Sequence, residues 1–237
     1  MSNPPLNKVH FKILFVLLAL IIVSCGFPKD NNPSEKISYK YLALGDSYTV
    51  GESVCDSCSF PKQLTNELNE VMDEKTWVKI IAKTGWTTTD LLSAIASENP
   101  SKDYDLASLL IGVNNQYQGQ PFSLYEEEFP ILLDKTIEFA NGKPENVIVL
   151  SIPDYAFTPY GQTSGKALKI TSELKEYNAY VEKIALKKGV HFANITAITE
   201  EGLRNRNLVA ADGLHPSKIA YKRFIETIFE IALNILR

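Results

Sequence analysis

Five short, largely apolar runs, interleaved with stretches of helical periodicity, constrain this chain more than any other feature. The runs are residues 39–44, 77–82, 106–111, 147–152 and 190–193. Four to six residues is strand length, and apolar side chains at successive rather than alternate positions require cover on both faces of the strand. Between the runs, apolar residues recur every three or four positions. Leu64, Leu68, Val71 and Met72 mark a helix over 61–72. Ile170, Leu174, Tyr177, Val181 and Ile184 mark another over 168–188, which Gly189 stops. Tyr221, Phe224, Ile225, Ile228, Ala232 and Ile235 mark a last one over 217–236. Thr87-x-x-Asp90 and Ser123-x-x-Glu126 read as capping boxes, opening helices near 87–97 and 123–140, with Pro130 a kink in the second. Strands alternating with helices predict an α/β domain, a five-stranded parallel sheet covered on both faces. No internal repeat and no second linker interrupts it, so residues 37–237 are expected to fold as one domain.

The first 36 residues do not fit that pattern. Lys8 and Lys12 precede an unbroken apolar run at 13–23. It is too short to cross a bilayer, which takes roughly 20 residues. It does suit the apolar region of a signal peptide, with the lysines as its charged start. The run closes on Val23-Ser24-Cys25, which resembles a bacterial lipobox. The expectation is therefore a lipoprotein signal peptide at 1–24, followed by a lipidated Cys25 and a polar tether at 25–36, with a reach of roughly 20 Å. Two acyl chains on Cys25 suffice for stable anchoring, which places the exported protein on a bacterial envelope membrane. The alternative is a buried strand or short anchor that happens to end in Cys. Of the 237 residues 45% are hydrophobic and 22% charged, with a net charge of -4. This excludes a disordered chain and leaves no basic footprint for nucleic acid.

In parallel sheets of this kind ligands bind beyond the carboxyl ends of the strands. Gly45-Asp46-Ser47-Tyr48 follows the first run, Thr84-Gly85-Trp86 the second and Gly112-Val113-Asn114-Asn115 the third. Asp212-Gly213-Leu214-His215-Pro216 precedes the last helix. A serine hydroxyl needs a base to act as a nucleophile. Beyond the signal segment only His191 and His215 remain. His215 has an Asp three residues before it, a spacing that lets the carboxylate hold one ring nitrogen while the other faces a nucleophile. His191 lies within a predicted strand, has no nearby acid and reads as structural. Taken singly, each block is also ordinary turn or cap chemistry.

Together the blocks resemble the SGNH, or GDSL-type, hydrolase family, across 39–237. The resemblance implies a flavodoxin-like three-layer α/β/α sandwich. It also implies a serine esterase that cleaves carboxylic esters or thioesters through an acyl-enzyme. Ser47 would be the nucleophile, His215 the base and Asp212 its orienting acid. The backbone N–H groups of Ser47 and Gly85, with the side-chain amide of Asn114, would form the oxyanion hole. No metal or organic cofactor is implied, and the substrates would be small-molecule, lipid or carbohydrate esters. An acyltransferase with a sugar acceptor uses the same residues. A non-catalytic binding lipoprotein on the same fold is the competing reading from another class. Tyr48 departs from the family's Leu, Asn115 from an Asp, and Ala82-Lys83 stand where a second Gly is common. Only the first Asn aligns with the family position, so Asn115 is expected to matter much less than Asn114. Thr49 breaks a Gly-x-Ser-x-Gly elbow, which excludes the ordinary α/β-hydrolase signature.

Two further features flank these blocks. Cys55 and Cys58 have no nearby His to complete a zinc site, and a local disulfide is the favoured reading over a redox motif. The Pro- and Gly-rich segment 153–165 carries Tyr155, Phe157 and Tyr160. It reads equally as a wall of the substrate pocket or as a surface loop with packed aromatics.

Overall fold

In the computed structural model the described residues are 1–2 and 37–237. The expected signal peptide beyond its first two residues, Cys25 and the whole of the tether lie outside them. The chain runs β1 (Ile37–Gly45), α1 (Ser47–Val50), α2 (Phe60–Val71), β2 (Lys75–Ala82), α3 (Thr88–Glu98), β3 (Leu106–Leu110), α4 (Val113–Tyr117) and α5 (Phe122–Phe139). It continues with β4 (Val147–Leu150), α6 (Pro159–Thr163), α7 (Ala167–Lys187), β5 (His191–Ala193), α8 (Thr196–Thr199) and α9 (Lys218–Leu236).

All five strands are parallel, in the order β2-β1-β3-β4-β5. The strands β3 and β4 are buried at every position, which is why their sequences are apolar at nearly every residue rather than at alternate ones, with Ser108 of β3 hydrogen-bonded to the Tyr41 hydroxyl at 2.7 Å. Helices α2 and α9 pack together on one face, and α3, α5 and α7 form the other layer. This is the flavodoxin-like three-layer α/β/α sandwich. Its strand order reverses beside β1, and the gap between β1 and β3 is where such sheets bind ligands.

Register sets the level of the loops. Gly45 pairs with Ala82 of β2 and Leu110 of β3, so all three strands end together. The segments carrying Ser47, Gly85 and Asn114 therefore leave the sheet side by side. Gly45 is the close-approach point. A Cβ there would run into the Thr49 side chain and the Leu110 carbonyl.

Two local expectations resolve differently. The Thr87–Asp90 capping box forms, with the Thr87 amide donating to Asp90 Oδ2 at 2.9 Å. The Ser123–Glu126 box does not: α5 starts one residue earlier, with Pro121 at its N-cap position and no side-chain cap. The rigid φ of Pro121 already sets the entry to the helix, and Ser123 falls inside the first turn. Among the described residues no helix is long and apolar enough to cross a membrane.

Candidate active site

Asp46 and Ser47 begin α1 directly after β1. Asp46 is the N-cap, its Oδ1 accepting the Tyr48 amide at 3.0 Å, so the short helix starts with Ser47 turned to the sheet edge. Asp46 is buried, its Oδ2 has no hydrogen-bond partner among the described residues, and burial pushes its carboxyl up to about 7. Gly85 has φ +87°, a left-handed conformation that favours glycine, and a side chain there would be strained. The side-chain amide of Asn114 donates to the Trp86 carbonyl at 2.9 Å. An amide has two N–H donors, so one is fixed on Trp86 and the other makes no hydrogen bond among the described residues.

His215 arrives from the far end of the chain. The segment before α9 is pinned by an antiparallel bridge between Val209 and Pro216 and by the Ala210 amide donating to the His215 carbonyl at 2.8 Å. Ser217 then caps α9, accepting from the Ile219 and Ala220 amides. Asp212 Oδ2 lies 2.5 Å from His215 Nδ1. Its Oδ1 accepts the backbone amides of Leu214 and His215 at 2.9 and 3.0 Å. Burial alone would push the Asp212 carboxyl up. The hydrogen bonds from His215, Ser53 and the two amides outweigh it and hold the group well below the usual carboxylate range. Asp212 is therefore a stable anion facing one imidazole nitrogen.

Ser47, Gly85, Asn114 and His215 line one open cleft of about 220 Å³, together with Tyr48, Thr84, Val113, Tyr117, Tyr155 and Leu214. Asp212 stands behind His215. No hydrogen bond joins Ser47 Oγ to His215, a contact that in such sites often tightens only around bound substrate. Tyr48 packs edge-on to the imidazole, with ring centroids 6.0 Å apart, so this departure from the family's Leu places an aromatic wall beside His215. His191 sits exposed at the start of β5, away from the cleft. Of the three aromatics in the 153–165 segment, Tyr155 lines the cleft and Tyr160 a neighbouring groove. Phe157 lines neither and packs against the core.

Ser53 and Tyr117 escaped sequence reasoning. Ser53 donates to Asp212 Oδ2 at 2.7 Å, from a backbone held at φ +64°. Nothing in Glu52-Ser53-Val54 signals this, because its partner is 159 residues away. The disulfide between Cys55 and Cys58 closes the next turn of that loop. Tyr117 ends the short α4 that starts with the Gly112-x-Asn114 block, and a five-residue helix has too few turns for periodicity to reveal. Asn115 is fully buried. Its Oδ1 accepts the Thr88 amide at 3.1 Å, and its Nδ2 donates to Thr88 Oγ1 at 2.7 Å and Gln120 Oε1 at 2.9 Å. It ties α4 to the start of α3 and does not line the cleft.

The profile of the GDSL-like Lipase/Acylhydrolase family matches residues 43–223, which include all four blocks. The chain belongs to the GDSL-like lipase/acylhydrolase family. It has that family's fold. A 92-residue stretch, 37% of the chain, is 30% identical to the secreted effector protein SseJ of Salmonella typhimurium. That match spans 21% of SseJ, about a fifth of its length. Among solved structures, the lipase/acylhydrolase from Enterococcus faecalis is 19% identical at a TM-score of 0.62, with 83% of this chain and 96% of that one covered. Axe2, an acetylxylan esterase from Geobacillus stearothermophilus, is 17% identical at a TM-score of 0.58, with 84% and 95% covered. Identities this low carry the fold alone.

Proposed function

We propose that this GDSL-family hydrolase is a serine esterase that works through an acyl-enzyme on Ser47. The observation that carries the reading is the Asp212–His215 pair, bonded at 2.5 Å and opening into the same cleft as Ser47, Gly85 and Asn114. In the proposed cycle Ser47 Oγ attacks the ester carbonyl while its proton passes to His215 Nε2. Asp212, held anionic, stabilises the imidazolium that forms. The carbonyl oxygen, now negative, meets the N–H groups of Ser47 and Gly85 and the free N–H of Asn114. As the C–O bond breaks, the leaving alkoxide takes the proton from His215. Water then enters by the same route in reverse, releasing the acid and restoring Ser47.

The proposal extends to location. The charged start, apolar run and Cys25 support export and lipid anchoring. Strand β1 begins at Ile37, next to the tether, and Ser47 follows its far end. At roughly 3.3 Å per residue the nine residues of β1 separate the two by about 30 Å.

The test is covalent labelling. A fluorophosphonate probe should modify the wild-type protein and leave Ser47→Ala unmodified, with ester hydrolysis lost in parallel. Equal labelling of the two proteins would remove Ser47 from the reaction.

A further inference from the structure

Beside the catalytic cleft lies a larger groove of about 640 Å³, between α4, α6 and α7. Tyr117 and Tyr155 line both spaces, so the two share a wall. The geometry points to this groove as a binding site for a neutral oligosaccharide, the alcohol part of the ester cleaved at Ser47. The inference rests on the esterase reading and names its substrate class.

Two aromatic rings stand open to solvent here, Tyr117 54% and Tyr160 40% exposed. Their centroids are 6.5 Å apart and their hydroxyls are hydrogen-bonded at 2.6 Å, which holds the pair in place. Open ring faces suit a ligand that is itself two-sided, with apolar C–H faces and polar edges, as a pyranose is. Below them runs a chain of polar groups. The Tyr155 hydroxyl donates to Gln116 Oε1 at 2.9 Å, and Gln116 Nε2 donates to Glu173 Oε2 at 2.8 Å. Lys169 Nζ lies 3.6 Å from the other Glu173 oxygen. A seated acyl chain would strip water from these groups and return nothing, which is unfavourable. Sugar hydroxyls both donate and accept, and replace that water.

Charge points the same way. Lys166 and Lys169 face Glu173 and Glu176 around the groove, so it carries no net field for an anion or a cation. Size completes the picture. The groove falls within the roughly 300–1,000 Å³ of sites for ligands of more than one ring. The catalytic cleft, at about 220 Å³, is smaller and suits the ester group with a short acyl chain. The sugar would then extend outward past Tyr117.

Binding and turnover test separate parts of this. Unacetylated neutral tetrasaccharides of gluco-, xylo- and manno-configuration are titrated into Ser47→Ala protein by calorimetry. At least one should bind. Adding Tyr160→Ala should weaken it about tenfold, the order expected for a lost aromatic contact, and Tyr160→Phe in its place should restore it. In turnover, the singly acetylated form of the binding tetrasaccharide should exceed its acetylated methyl glycoside about tenfold in kcat/KM in the wild type. Tyr160→Ala should abolish that preference while p-nitrophenyl acetate hydrolysis stays within about twofold, since the residue lines only the groove. Absence of binding by all three sugars overturns the groove assignment. So does binding that Tyr160→Ala does not weaken, or a preference for p-nitrophenyl palmitate over every acetylated sugar. Failure of the wild type to cleave p-nitrophenyl acetate would instead strike the esterase reading, and the calorimetry would still judge the groove.

Discussion

Asn114 and Asn115 are identical side chains on one short helix with opposite tasks. Asn114 lies at the cleft with one amide proton fixed on Trp86 and one free. Asn115 is buried and makes three hydrogen bonds, one of them accepted from the buried Thr88 amide. Asn114→Ala should lower kcat about 10²–10³-fold, the usual cost of one oxyanion donor, with little change in KM. Asn115→Ala should lower stability by about 1–3 kcal/mol, because it strands a buried amide, and a urea titration reads the difference. A larger kcat loss in a folded Asn115→Ala protein would shift the block by one residue. Asp46 gives a second residue-scale prediction. Its carboxyl titrates near 7 when folded and near 3.8 when not. Between those values the native state holds the proton and the unfolded state has released it. Stability from this group is therefore full at acid pH and lost as pH rises from about 4 to 7. Asp46→Asn, which keeps the cap acceptor, should remove up to about 4 kcal/mol of that decline. Parallel stability–pH curves for the two proteins would refute the assignment.

At the scale of elements, α5 contains a proline and yet continues through it. Pro130 has no N–H, so the Glu126 carbonyl one turn earlier loses its helical donor. The Tyr180 hydroxyl, reaching across from α7, donates to that carbonyl at 2.8 Å. The contact couples two helices of the same layer through a backbone defect. Tyr180→Phe should cost about 0.5–1 kcal/mol in the wild type, the net value of one partly exposed hydrogen bond. In a Pro130→Ala background the new Ala amide serves Glu126 instead, and the cost of Tyr180→Phe should shrink towards zero. An equal cost in both backgrounds would show that the hydroxyl acts elsewhere. The helices that periodicity marks are α2, α7 and α9, each long enough for a stripe of apolar residues to repeat. Helices α1, α4, α6 and α8 have four or five residues each, too few for any repeat, and three of them border the cleft or its groove.

On the scale of the whole molecule, the cleft is assembled by sheet order. Strand β1 lies between β2 and β3, so Ser47, Gly85 and Asn114, 29 to 67 residues apart in the chain, meet at one edge, and the segment before the last helix returns His215 to the same place. The proposed anchor at Cys25 precedes β1 in the chain. Expressed in a bacterium, the wild type should fractionate with membranes, and Cys25→Ala should move to the soluble fraction or accumulate unprocessed. Retention of Cys25→Ala on the membrane at unchanged mass would leave the apolar run as a plain anchor.

The strands, the long helices and the four motif blocks are legible in the chain because each is a local pattern: an apolar run of strand length, a three-to-four repeat, a few residues at fixed spacing. A local pattern also pairs Asp212 with His215, since an Asp three residues before a His is a relation within one turn, whereas Ser47 stands out only through the resemblance of the four blocks taken together. What local patterns do not contain is any pairing across the fold. The contact of Ser53 with Asp212, the burial of Asn115 beside a half-buried twin, the support of Pro130 by Tyr180 and the joining of Tyr117 to Tyr160 all depend on which segments the β2-β1-β3-β4-β5 order brings together. Hydrogen bonds between residues far apart in sequence leave no period to read, and only the folded packing decides them.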